Sequence, residues 1–116
     1  MALFKKKKEE IDIDLFRKID LKVGKILEAE DVEKSNKLIK IKVSLGDREK
    51  TILSGIRKEY KSSDLVGKKI IIIDNLKPAK LMGLESQGML LAASDEEGNL
   101  SLLTVDKEIK EGSSIS

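Results

Sequence analysis

The residues of this chain best suited to chemistry lie between Asp74 and Ala93. Asn75, Lys77 and Lys80 surround Pro78 there, and Ser86-Gln87-Gly88-Met89 opens the next apolar run. A glycine lets a backbone come close to a neighbour, and a methionine beside it offers a soft, polarisable apolar contact. Ammonium, amide, hydroxyl and thioether groups in one segment suit the holding of a partner, and the segment carries no histidine, cysteine or paired carboxylate that would make it a catalytic set. The chain has no histidine and no cysteine. That removes the commonest general base, the commonest metal ligand and all thiolate and disulfide chemistry. The carboxylates alternate with lysines, as on a solvated face, and no pair stands isolated in an apolar setting that would tune it for proton transfer. Gripping is expected rather than catalysis, with no metal and no cofactor.

The elements that must position these residues fit in one small domain, since the chain has 116 residues. Hydrophobic residues make up 40% and charged residues 38%, a globular balance. No apolar run approaches the ~18 residues of a membrane span. Lys5 to Lys8 are followed by Glu9 and Glu10 rather than by the apolar segment of a signal peptide. The expected compartment is the cytoplasm, with no membrane partner. Basic residues number 23 and acidic residues 21, a net charge of +2, so a polyanionic partner must be argued from where the lysines sit. Residues 1–10 read as a charged tail, either a solvated arm or an electrostatic arm for phosphate, and residues 11–116 as the folded domain.

Within that domain Asp12 and Asp14 precede Leu15-Phe16, which predicts a short capped helical turn. Ile19, Leu21 and Val23 alternate with charged residues, then Gly24 intervenes and Ile26 falls on the opposite phase. A strand with a bulge or bend at the glycine is expected. Ile39, Ile41, Val43 and Leu45 alternate with Lys40, Lys42 and Ser44, and Gly46-Asp47 turns the chain into a returning strand from Glu49 to Ser54. Helical turns are expected over Ile56–Tyr60 and again after Ser62-Ser63-Asp64. Ile70–Ile73 predicts a strand buried on both faces. A long loop then leads to a strand over Met89–Ala93, a turn at Asp95–Asn99 and a return over Leu100–Val105. The tail from Asp106 is polar, with Ile109 and Ile115 available as anchors. The fold class that follows is all-β: a five-stranded Greek-key barrel of the oligonucleotide-binding (OB-fold) type, with short helices and a C-terminal β extension. Closure removes exposed edges, and a bent first strand can serve both halves.

Several segments carry a family resemblance: 16–26 (Phe-Arg-Lys-Ile-Asp-Leu-Lys-Val-Gly-Lys-Ile), Asn36-Lys37-Leu38, 52–56 (Ile-Leu-Ser-Gly-Ile), 65–69 (Leu-Val-Gly-Lys-Lys), 75–81 (Asn-Leu-Lys-Pro-Ala-Lys-Leu) and 83–93 (Gly-Leu-Glu-Ser-Gln-Gly-Met-Leu-Leu-Ala-Ala). In this order and spacing the chain resembles the tRNA-binding domain found at the C-terminus, or as the β subunit, of methionyl-tRNA synthetases. It is also similar to the stand-alone dimeric tRNA-binding proteins and EMAP-II-like domains. It departs from the family at Val32–Asn36, where a His-Pro-Asn-Ala-Asp stretch is usual, and near Gly112, where the usual proline is missing.

The resemblance implies a non-catalytic barrel that docks on the outer corner of folded tRNA largely without reading sequence. It implies a homodimer, with the C-terminal extension as the expected contact, and a methionyl-tRNA synthetase catalytic subunit or domain as partner. It implies contacts from Lys37, Asn75, Lys77, Lys80, Ser86 and Met89. Local alternatives stand beside these: solvated lysines, Asn75 ending a strand, Ser86 capping a turn, Met89 in the core. Lys40 and Lys42 on one strand, with Arg48 and Lys50 on its partner, suit either RNA contact or a solvated sheet face. Phe4, Phe16 and Tyr60 are the only aromatics. Single-strand binders stack bases on aromatic platforms, whereas folded RNA is recognised by outline and backbone, so the composition favours structured tRNA. The competing expectation is a CsaA-like export chaperone of the same fold, which would bind unfolded polypeptide.

Overall fold

The sheet is built around strands whose apolar residues fall on one face. In β2 (Ile39–Ser44) Ile39, Ile41 and Val43 are buried while Lys40, Lys42 and Ser44 are only partly covered, the period-two pattern of a half-buried strand. The computed structural model describes residues 7–116. Lys5 and Lys6 of the expected charged arm lie outside the described residues, and residues 7–10 are exposed and without regular secondary structure.

The long first strand, β1 (Leu21–Asp31), works for both halves of the barrel. Leu21–Lys25 pair antiparallel with β4 (Lys69–Ile73), and Lys25–Asp31 pair antiparallel with β2. β3 (Glu49–Ser54) returns beside β2, and β7 (Met89–Leu90) lies beside β4, giving the order β3-β2-β1-β4-β7. This is the expected five-stranded Greek-key barrel of the OB-fold. The register shift in β1 falls between Ile26 and Glu28, a few residues beyond the glycine where the phase flip suggested it. Gly24 serves close packing instead, because a Cβ there would run into Val43 Cγ1. The core is largely isoleucine: Ile26, Ile39, Ile41, Ile52, Ile70 and Ile72 are fully buried, with Leu65 beside them. Each contributes roughly 1.5–3 kcal/mol by leaving water, so these strands rather than the loops hold the barrel together.

Several elements depart from expectation. The first helix, α1 (Ile13–Phe16), forms, but the Asp12 side chain caps nothing, and every side chain of the helix is exposed. Ile56–Tyr60 makes one of the expected helical turns, closed by the Tyr60 N–H donating to the Ile56 carbonyl at 2.9 Å, and extends no further. In the next helix, α2 (Ser62–Leu65), the N-cap position belongs to Lys61, and Ser62 Oγ instead bonds Asp31 Oδ1 at 2.5 Å. The long loop after β4 contains a hairpin of two three-residue strands, β5 (Ala79–Leu81) and β6 (Leu84–Ser86). The strand expected over Met89–Ala93 divides at Leu91: β7 pairs with β4, and β8 (Ala92–Ser94) pairs with β9 (Leu100–Leu102), a shorter return than predicted. The turn between them is built by Asp95, whose carboxylate accepts from the Glu97 and Asn99 amides at 2.9 Å. The tail adds β10 (Ser114–Ile115), which pairs with the start of β1.

Candidate functional site

The end of β4 organises this region. Asp74 directly follows the isoleucine run and is only 6% exposed. Its Oδ1 meets Lys50 Nζ at 2.5 Å, its Oδ2 meets Lys22 Nζ at 3.0 Å, and Arg48 Nη2 bonds the same Oδ2. Burial alone would raise the carboxyl pKa, but hydrogen bonds from Lys50, Arg48 and Lys22 outweigh it and hold Asp74 well below the usual carboxylate range. The hydrogen bond to Asp74 lifts Lys22 above an ordinary lysine. Three cations from β1 and the β2–β3 hairpin are thereby drawn to the root of the loop that begins at Asn75. Sequence reasoning missed Asp74 and Lys22; the only available signal was an aspartate closing an otherwise apolar strand.

The candidate cations divide by what already holds them. Lys40 faces Glu30 at 3.8 Å and Lys42 faces Glu28 at 3.6 Å across the β1–β2 ladder. Arg48 and Lys50 are committed to Asp74. Lys37, Lys77 and Lys80 are exposed, and none forms an ion pair among the described residues. Lys37 lies on the loop joining β1 to β2, while Lys77 and Lys80 lie on the segment after β4. That first loop, through Lys34 and Asn36, and the tip of the β5–β6 hairpin, through Met82, line a common groove together with Arg57 from the turn after β3.

The polar candidates are engaged within the fold. Asn75 Nδ2 donates to the Lys18 carbonyl at 2.7 Å, and its Oδ1 accepts from the Asp20 amide at 2.8 Å. It therefore fastens the loop to the entry of β1 rather than capping its own strand locally. Ser86 is 5% exposed; its Oγ accepts from the Leu53 amide at 3.0 Å and donates to the Gly88 carbonyl at 3.1 Å. Beside it the Gln87 amide donates to the Thr51 carbonyl, and Gln87 Oε1 accepts from the Thr51 amide, both at 2.8 Å. These bonds close the barrel between β3 and the chain entering β7. Gly88 makes its close approach here too: a Cβ would stand 2.9 Å from the Ile73 carbonyl, so what it approaches is β4 of its own barrel. Met89 is 46% exposed, at the register position opposite Ile73.

Among the described residues no helix is long and apolar enough to cross a membrane, and no three carboxylates gather as a metal site. Known proteins match along most of the chain. A family model described as "Putative tRNA binding domain" matches residues 21–114. A methionine–tRNA ligase of Methanocaldococcus jannaschii is 62% identical over 109 residues, 94% of this chain but 17% of the ligase. The chain thus spans about a sixth of the length of that relative. Among solved structures, a MetRS-related protein from Pyrococcus horikoshii matches with a TM-score of 0.89 at 41% identity, covering 94% of this chain and 100% of that one. The chaperone CsaA of Bacillus anthracis matches with a TM-score of 0.86 at 27% identity, covering 93% and 100%. Matched in this way over most of its length, the chain belongs to the tRNA-binding domain family.

Proposed function

We propose that this chain is a non-catalytic module that grips the outer corner of folded tRNA by its backbone outline, largely without reading sequence. In this reading it acts as a homodimer in the cytoplasm and serves a methionyl-tRNA synthetase, as a domain of it or as its partner. The observation that carries the proposal is the division of the cations. Glutamates face Lys40 and Lys42, and Asp74 holds Arg48 and Lys50, while Lys37, Lys77 and Lys80 have no ion-pair partner among the described residues and lie on the two segments whose neighbouring residues, Asn36 and Met82, line one groove. Unpaired ammonium groups displace counterions from phosphates at little desolvation cost. Tyr60 is no stacking platform, since it is half-buried and its hydroxyl accepts from the Leu102 amide at 3.0 Å. A second grip on tRNA would raise its effective concentration at the catalytic centre without adding chemistry. The dimer contact expected in the C-terminal half would use the exposed Leu103 beyond β9 and Ile109 in the tail.

The test is a titration of tRNA at about 50 and 200 mM salt with the parent and K77Q/K80Q. Each lost phosphate contact reduces the slope of log K against log salt by ~0.9, so across this range the double variant should lose about tenfold less affinity than the parent. A parent that ignores tRNA at low salt, or a double variant with the parental slope, overturns the proposal. The likeness to the chaperone CsaA supports a second reading, binding of unfolded polypeptide at the exposed apolar residues around α1. That activity would suppress aggregation with little dependence on salt.

A further inference from the structure

The β5–β6 hairpin turns through Met82 and Gly83, both with positive φ, +53° and +78°. A two-residue turn of this kind is the place for Asn-Gly, because an L side chain with a Cβ is strained in the left-handed region. Met82 instead occupies the strained position without being buried in return: the residue is 58% exposed and its neighbour Leu81 41% exposed. Backbone strain retained without a packing return points to use outside the fold.

The surroundings indicate what that use is. Met82 borders a groove of about 650 Å³ whose other walls are Glu33, Lys34, Ser35, Asn36 and Arg57. Arg57 stiffens the far wall: its guanidinium donates to the Val32 carbonyl at 3.3 Å and to the Ser35 carbonyl, and pairs with Asp31 at 3.3 Å. Lys80 stands two residues before Met82 on the same hairpin. The Met82 thioether, with Leu81 next to it on the hairpin, stands among ammonium, guanidinium, amide and hydroxyl groups and one carboxylate, Glu33, a mixture that suits a nucleobase, whose apolar face is joined to edges that both donate and accept. An unfolded apolar peptide would need a continuous apolar wall, which this groove lacks.

We propose that the Leu81–Met82 tip rests on an exposed nucleobase face of the folded RNA and adds affinity that does not depend on salt. The tip takes the place of the aromatic platforms the chain lacks, through sulfur and methyl contacts with the base. This rests on RNA being the partner, as proposed above, and deepens it by naming a contact that is not electrostatic.

The experiment is M82N, read against M82L and the parent with a folded tRNA as probe. Asparagine is favoured at this turn position, so M82N should melt at the parental temperature or higher. Its affinity for tRNA should fall about fivefold, within the lower range for losing a base-stacking side chain. The fall should be the same at low and high salt, so its line of log K against log salt runs parallel to the parent's. M82L should bind within about twofold of the parent, because it keeps the apolar surface. Parental affinity in M82N, or a changed slope, overturns the tip contact while leaving the tRNA module standing. A loss in M82N confined to suppression of aggregation assigns the tip to polypeptide and overturns it likewise. A parent that binds no tRNA brings down both proposals together.

Discussion

Replacing Asp74 by asparagine keeps the shape and removes the charge on which Lys22, Arg48 and Lys50 converge. The carboxylate side chain is 4% exposed, while its partners retain 22%, 40% and 19% of their side-chain surface, so water softens part of the repulsion left behind. Removing one partner of a buried ion pair costs 3–5 kcal/mol; with these partners near the surface the low end applies, about 3 kcal/mol. For a domain of this size about 4 °C of melting temperature accompanies each kcal/mol, so D74N should melt about 12 °C below the parent at neutral pH. The pH dependence follows from the depressed pKa. The folded carboxyl titrates below its unfolded value of 3.8, so its stabilisation is complete above that value and drains away as pH falls below it. D74N should lack that component of acid destabilisation and retain only those from groups such as Asp95 and Glu108, whose carboxyls are also lowered. The assay is thermal melting by circular dichroism from pH 2.5 to 7. Adding K50M removes one unmatched cation and should restore part of the loss. A D74N melt within 2 °C of the parent at pH 7, or a pH profile parallel to the parent's, would refute the hub.

Two further substitutions separate holding the fold from holding a partner. S86A leaves the buried Leu53 amide unpaired and should cost about 1–3 kcal/mol, seen as a lower midpoint in urea; an unchanged midpoint would contradict the role of this hydroxyl in closing the barrel. N75A breaks the two bonds joining the loop to Lys18 and Asp20 and should cost about 1 kcal/mol, while hydrogen exchange at the Asp20 amide accelerates; a protected Asp20 amide in N75A would contradict the fastening role.

The barrel was legible wherever burial follows a short period. Alternation in 39–45 and the branched run at 70–73 depend on which faces are covered, and that is written into neighbouring residues. The β5–β6 hairpin was hidden because its strands are three residues long and its turn lacks Asn-Gly. The division of the cations was out of reach for a different reason. Glu28 and Glu30 face Lys42 and Lys40 only because β1 and β2 meet in one register, and Asp74 gathers Lys22 from β1, Arg48 from the β2–β3 turn and Lys50 from β3. The family motifs drew attention to Asn75 and Ser86 without separating a part that shapes the loop from one that touches a partner; hydrogen bonds across 57 and 33 positions supply the structural part.

The barrel's last gap is bridged by the side chains of Ser86 and Gln87 and one backbone bond, where elsewhere strand lies against strand. Such a join opens at lower free energy than a packed isoleucine ladder. Thermal breathing should therefore begin there, unlatching the lysine-bearing hairpin as a flap while the rest of the cylinder stays shut. The joint lies beneath the hairpin that carries Lys80, so the hairpin could shift position without melting the frame.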